Sequence, residues 1–369
     1  MKTLVTGGAG FIGSHLVRRL VADGGEVVVL DSIEPQVHGD GQPVVPDKVE
    51  LFEGNVADGA LVDRALEGVD RVVHLAAAVG VGQSMYEIAA YVRENTMATA
   101  AFLERVVAHE PRPKRLVVAS SMSIYGEGEY ECSEHGAVAP GLRGEEQLLA
   151  REWECRCPEC GRPLEPRPTR ETKPLIPTSI YAITKRDHEE LCLVTGAAYG
   201  IPTVALRLFN VYGPGQALSN PYTGVAAIFA SRLLNGRGPV IFEDGRQSRD
   251  FVHVSDIVEG FVRALESDGA VGTAVNLGTG AQSTVDDIAR LLSVGLGVGV
   301  EPERTAQYRA GDIRHCYADT TRAEELLGFR SQVQLEDGIH ELVGWLAGQQ
   351  PEDRIDVATN ELASRGLTI

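Results

Sequence analysis

Long apolar stretches are missing from this 369-residue chain: no run of about 18 apolar residues occurs, so a membrane-spanning helix is not expected. Positive charge is also short. Lysine and arginine total 34 against 52 aspartates and glutamates, a formal net charge of −18. So acidic a surface repels phosphate backbones and anionic lipid, which argues against nucleic-acid or membrane partners. A phosphate-bearing ligand would then need a local basic pocket. Cysteine is sparse and unevenly placed. Cys132, Cys155, Cys157 and Cys160 fall within 29 residues, with Cys192 and Cys316 elsewhere. MKTLVTGG leads into an apolar strand rather than a secretory leader, so the expected setting is cytoplasmic. In that reducing compartment, clustered cysteines point to a metal rather than to disulfides. Hydrophobic residues, at 43%, suffice for a sizeable core.

What is present is a strand–helix alternation. Strand patterns at Lys2–Val5, Glu26–Leu30, Arg71–Leu75 and Arg115–Ala119 alternate with helical patterns at Ile12–Ala22 and 86–108. This predicts an α/β fold with a parallel, doubly wound sheet. Residues 126–178 break the rhythm with seven prolines and all four clustered cysteines, and read as an insertion. A helix at about Tyr181–Tyr199 and a strand at Thr203–Leu208 resume the pattern. The expected division is a dinucleotide-binding domain over 1–210, a mainly substrate-binding smaller lobe over 211–345, and a surface helix or tail over 346–369.

Between the first strand and helix lies Gly7-Gly8-Ala9-Gly10-Phe11-Ile12-Gly13. Gly7, Gly10 and Gly13 suit a tight turn and close backbone approach to a pyrophosphate, with the following helix N-terminus facing the phosphates. Asp31 ends the second strand, where a carboxylate accepts hydrogen bonds from ribose hydroxyls and repels a 2′-phosphate; this favours NAD over NADP. Asn55, Val56, Leu75, Ala76 and Ala77 stand at later strand ends, along the expected ligand crevice. Tyr181 and Lys185 form Y-x-x-x-K on one helix face. A neighbouring cation should lower the phenol's pKa and make tyrosinate available as a base. Ser120-Ser121, at a strand end, supplies the partner hydroxyl.

The segments TGGAGFIG, HLAA, ASSMSIYG, YAITK, RLFNVYGPGQ and RDFVHVSD resemble the extended short-chain dehydrogenases/reductases that modify nucleotide sugars. The resemblance covers residues 1–345 apart from the insertion. It implies a Rossmann-type sheet, Ser121, Tyr181 and Lys185 as the catalytic group, and a homodimer. It implies cofactor contacts from Phe11, Ile12, Ser120 and Phe209, and from Asn95, which resembles the asparagine supporting the lysine region. It also implies substrate contacts from Ser123, Asn210 and Val225, with Arg249 and Arg309 meeting the diphosphate and Asp312 a ribose or arginine partner. Related 4,6-dehydratases carry an Asp-Glu pair where this chain has Met122-Ser123, and methionine cannot exchange a proton. A 4-epimerase is therefore expected, working through a transient 4-keto sugar. LDSIEPQVHG, the insertion, NPYTGVAAIF and DRIDVATNELASRGL resemble 4-epimerases that interconvert dTDP-L-rhamnose and dTDP-6-deoxy-L-talose. UDP-sugar 4-epimerases, dehydratases or decarboxylases on the same scaffold are alternatives, as is a non-catalytic NAD-sensing scaffold.

Cys157-Pro158-Glu159-Cys160-Gly161 is a C-x-x-C-G turn, and Cys132-Ser133-Glu134-His135 adds a C-x-x-H pair. Together they supply four ligands for a closed, structural Zn²⁺ site, with Cys155 an alternative ligand. Free thiols or a disulfide are the competing readings.

Overall fold

Alternation of apolar side chains along each strand decides the layering. The computed structural model describes residues 1–39 and 45–368. Strands β1 (Lys2–Thr6), β2 (Glu26–Asp31), β3 (Glu50–Glu53), β4 (Arg71–His74) and β5 (Arg115–Ser121) join strands Thr203–Leu208 and Ala274–Leu277 in a seven-stranded sheet. Its order is β3-β2-β1-β4-β5-Thr203-strand-Ala274-strand, and every pairing is parallel. Val5 pairs with Val29 and Val73, and Val73 with Val117. These valines face Leu16 and Val17 of helix Phe11–Ala22 and Ile257 and Phe261 of helix Val254–Glu266. Leu4, Val28, Val72 and Leu116 point the other way, onto Val62, Phe102 and Cys192. Both sheet faces are covered, as a parallel sheet requires. Strand order reverses between β1 and β4, and a ligand crevice opens at such a switch point.

The long helical pattern over 86–108 is interrupted. Helices Ile88–Tyr91 and Ala98–Ala108 flank a π-helical segment, Val92–Met97. Such widened turns concentrate at functional sites, and this one carries the buried Asn95. The insertion folds as a three-stranded antiparallel sheet with Glu129–Cys132 between Gly136–Val138 and Glu165–Arg167. Tyr130, Cys132, Cys155, Cys157 and Leu164 form its small core.

Residues 211–345 divide between two bodies. Tyr212, Phe229, Ile241, Phe251, Ile288 and Leu342 build a separate core for the lobe, whereas helix Val254–Glu266 and strand Ala274–Leu277 return to the central sheet. The last segment forms a helix, as one of the two expectations had it, and packs one face onto the body. Helix Ile355–Ser364 buries Ile355, Ala358 and Leu362, an i, i+3, i+7 stripe, and Ala310 N–H donates to the Leu367 carbonyl at 2.9 Å. Ile369 lies outside the described residues. Among those described, no helix is long and apolar enough to cross a membrane.

Phe102 is fully buried and stacks on His74 at 4.9 Å. Phe102→Ala is expected to lower unfolding free energy by about 3–5 kcal/mol in urea titration, against about 0.5 kcal/mol or less for Val294→Ala, since Val294 is 74% exposed. Equal losses would contradict this layering.

Candidate functional site

A cleft of about 810 Å³ opens along the carboxyl ends of the strands, within the ordinary range for small-molecule sites. Gly7, Gly10, Phe11, Ile12 and Gly13 form one end, with Asp31, Asn55 and Val56 beside them and Leu75, Ala76 and Ala77 across the switch point. Gly7 has φ +68°, and a Cβ there would stand 2.8 Å from Ala76 N; a Cβ on Gly13 would stand 2.1 Å from the Gly7 carbonyl oxygen. Only glycine lets these backbones meet. Helix Phe11–Ala22 begins at Gly10 without a side-chain cap, leaving its first N–H groups toward the cleft. Asp31 accepts from the Ala9 and Ile33 N–H groups, each at 3.0 Å. Burial alone would raise its pKa, but His38 and these two N–H groups hold the carboxyl below its ordinary value.

Ser120, Ser121, Ser123, Tyr181, Lys185 and Phe209 line the middle of the same cleft, and Asn210, Val225, Arg249, Arg309 and Asp312 line the far end. Ser179 caps the helix that carries Tyr181, accepting from Ala182 N–H at 3.1 Å, and Ser84 Oγ accepts from Tyr181 N–H at 3.0 Å. Ser123 Oγ donates to Ser121 Oγ at 2.9 Å. Four buried polar atoms of cleft-lining residues, Ser120 Oγ, Asn210 Oδ1, Gln216 Oε1 and Gln247 Oε1, have no protein partner among the described residues. Such atoms call for a ligand or water.

Residues 3–141 and 157–278 match the NAD dependent epimerase/dehydratase family. The chain belongs to that family. The unmatched stretch between, 142–156, falls inside the insertion. A relative from Burkholderia thailandensis, dTDP-L-rhamnose 4-epimerase, is 36% identical over 94% of this chain and 95% of its own. UDP-glucose 4-epimerase of Mycolicibacterium smegmatis is 33% identical over 93% of this chain and 97% of its own. Among solved structures, UDP-glucose 4-epimerase of Thermotoga maritima with UDP-glucose superposes with a TM-score of 0.77 at 30% identity, covering 94% of this chain and 99% of that one. That of Thermus thermophilus, in complex with NAD, gives 0.74 at 30% identity over 95% and 100%. The expected Rossmann-type sheet and the NAD-dependent epimerase class of enzyme both stand on these likenesses.

Within this family member, two expectations need correction. Asn95 does not line the cleft. It is fully buried behind the wall, its Oδ1 accepting from Ala78 N–H at 2.7 Å and its Nδ2 donating to Thr184 Oγ1 at 2.9 Å. Thr184 Oγ1 in turn donates to the Tyr181 carbonyl at 2.9 Å, so Asn95 braces the Tyr181–Lys185 turn from behind. The second concerns the phenol. Burial pushes Tyr181 up to about 12, only partly opposed by a hydrogen bond with Ser121. Burial likewise brings Lys185 down to about 8. In the protein alone, loss of water outweighs the Ser121 hydrogen bond.

Sequence reasoning missed the part of the wall made by Tyr222 and the tail, and Tyr86 as the partner of Tyr222. The two phenols meet at 2.5 Å, Arg365 lies 4.5 Å over the Tyr86 ring, and Ile355, Ala358 and Leu362 reach the cleft. The apolar stripe of the tail helix was the available signal.

The cysteine cluster forms a second centre. One ligand atom each from Cys132, His135, Cys157 and Cys160 lies within 4.8 Å of all the others. Cys132 Sγ stands 3.5 Å from His135 Nδ1 and 3.6 Å from Cys160 Sγ, and Cys157 Sγ 3.4 Å from His135 Nδ1. These match the roughly 3.5–3.8 Å edges of a tetrahedron drawn around Zn²⁺ with thiolate and imidazole ligands. None of the six cysteines is in a disulfide. Backbone N–H groups of Glu134 and His135 donate to Cys132 Sγ, and Glu159 stands 3.5 Å from His135 Nε2, where a carboxylate orients a ligating imidazole. Cys155 is not part of the centre: its thiol donates to Tyr130 Oη at 3.4 Å in the insertion core.

Lys185 yields a pH test. The unfolded chain keeps this proton up to about 10.5, while the folded state releases it at about 8. Between those values the folded state binds fewer protons, so this residue's contribution to stability rises with pH. Lys185→Met is expected to unfold at higher urea than the wild type at pH 7 and to lose that advantage by pH 10. An equal difference at both pH values would contradict the burial of the amine.

Proposed function

We propose that this chain is an NAD-dependent nucleotide-sugar 4-epimerase interconverting dTDP-L-rhamnose and dTDP-6-deoxy-L-talose. The observation that carries the reading is the convergence of Ser121, Tyr181 and Lys185 on one cleft wall, between the glycine turn and the two arginines. The residues present fit the dinucleotide. The glycines admit its pyrophosphate, Asp31 its adenosine ribose, and Lys185 Nζ, which makes no protein hydrogen bond among the described residues, its nicotinamide ribose. When bound, NAD supplies reversible hydride acceptance at C4 of the sugar. Tyr181 Oη takes the C4 hydroxyl proton during oxidation and returns it once the ring presents its other face. Ser121 orients that hydroxyl, and Lys185 in its charged form favours the phenolate against burial.

Arg249 and Arg309 are assigned to the diphosphate, Asn210, Ser123 and Val225 to the rest of the substrate, and Asp312 holds Arg309 at 2.8 Å. Support for the dTDP sugar is the 36% identity to the Burkholderia enzyme, against 29–33% for UDP-glucose epimerase relatives. The cluster Cys132, His135, Cys157 and Cys160 would hold a structural Zn²⁺, closed to substrate by its four protein ligands. A homodimer through the long helices is supported by their exposed apolar side chains Ile88, Met97, Ile183 and Val194.

Incubation with dTDP-L-rhamnose and, separately, UDP-galactose, followed by NMR of the sugar C4 configuration, tests the assignment. The expected result is inversion of the dTDP sugar. Tyr181→Phe should lower turnover by about 10²- to 10⁴-fold with bound NAD unchanged. Inversion of UDP-galactose alone would move the substrate, and an active Tyr181→Phe would remove the mechanism.

A further inference from the structure

The insertion carries more buried charge than its own small core explains. Arg314 is fully buried. Its guanidinium donates to Glu154 at 2.6 Å, Asp244 at 2.7 Å and Glu243 at 2.9 Å, and its backbone N–H donates to Glu127 at 2.7 Å. Arg143, 9% exposed, donates to Glu243 at 2.8 Å and to the Asp312 carbonyl at 3.1 Å. His315 completes the set, with Nε2 3.0 Å from Glu154 and Nδ1 2.7 Å from Ser248 Oγ. Glu127, Arg143 and Glu154 belong to the insertion, and Glu243, Asp244, Ser248 and the 312–315 segment to the second lobe.

That segment also holds Arg249. Arg249 Nη2 donates to the Ile313 carbonyl at 2.7 Å and Nη1 to the Arg314 carbonyl at 3.0 Å. The insertion acids therefore fix the backbone whose carbonyls aim a cleft arginine. A buried ion network demands accurate placement, because a displaced partner leaves an uncompensated charge. Yet the polypeptide bearing these acids is built on Tyr130, Cys132, Cys155, Cys157 and Leu164, too few apolar groups to hold position alone. Cys157 lies three residues from Glu154, and Cys132 three from Glu129, which holds Arg170.

We propose that the cysteine–histidine centre is a positioning device for nucleotide binding. Zn²⁺ there fixes Glu154 and Glu127, these fix the 313–315 backbone, and that backbone aims Arg249 at the substrate diphosphate. Arg314 acts as a positioning residue. The proposal rests on the zinc and diphosphate assignments made above and adds the coupling between them.

The test uses the full chain with its bound NAD. Zinc is measured by elemental analysis, and dTDP and UDP affinities by calorimetry. The expected wild type carries one zinc per chain. Cys160→Ser should lose it and bind both nucleotides roughly tenfold more weakly or worse, while bound NAD and kcat on the turned-over sugar nucleotide stay within about twofold and KM rises. Glu154→Gln should keep the zinc and weaken both nucleotides. A wild type without zinc overturns the metal reading. Zinc present, with nucleotide affinity unchanged in Cys160→Ser, overturns the coupling alone. If Cys160→Ser does not fold, unchanged affinity in Glu154→Gln does the same. Loss confined to dTDP would place the effect at the base and also overturn it.

Discussion

An amine with 4% exposure and, among the described residues, no carboxylate partner sets the terms for the rest of the cleft. Lys185 sits there because the helix beginning at Ile180 is clamped at its first turn by Ser179 and Ser84 and braced at Thr184 by Asn95. The clamp requires the π-helical turn that brings Asn95 inward. Burial keeps the amine near its neutralisation point, poised to regain charge when oxygen ligands and a phenolate surround it. Tyr181, one helical turn earlier, shares that environment. Burial raises its pKa in the protein alone, so in the proposed mechanism the phenol relies on a charged Lys185 to act as a base.

A different electrostatic problem is solved at the far end. The chain is strongly acidic, yet its proposed ligand is a diphosphate. Two arginines face the cleft, each tied down by groups from the 309–314 segment: Arg309 by Asp312, with the Phe242 ring also 4.9 Å from it, and Arg249 by backbone carbonyls. Carbonyls orient the guanidinium without neutralising it, so Arg249 keeps its charge for the ligand. The insertion closes over this segment from outside, and the tail helix closes over the cleft beside it.

Much of this was legible in residue order. The sheet followed from apolar strand patterns, because a buried parallel strand reads as a short apolar run. The glycine turn, Asp31, Ser121, Tyr181 and Lys185 were legible because each answers a local steric or chemical need. Every residue expected in the cleft lines it except Asn95, whose bracing role depends on a helix widening that periodicity does not encode. Cys155 was a fair candidate ligand by spacing, and only the turn of the chain at Glu154 buries it against Tyr130. The tail's packing was not legible because its stripe is short. It depends on residues far away in sequence, such as Gly82, where an added Cβ would stand 3.4 Å from Leu362. The ion network joining the insertion to Arg314 was invisible for the same reason: each acid looks like a solvated charge until the fold brings them together.

The central claim is that the sugar is oxidised and re-reduced at C4 within one closed site. Substrate deuterated at C4, turned over in ordinary water, tests it most directly by mass spectrometry and NMR of the product. The account requires the deuterium to remain on C4 after inversion, with no hydrogen from solvent replacing it. Loss of the label to water, or inversion accompanied by exchange at C4, would contradict it.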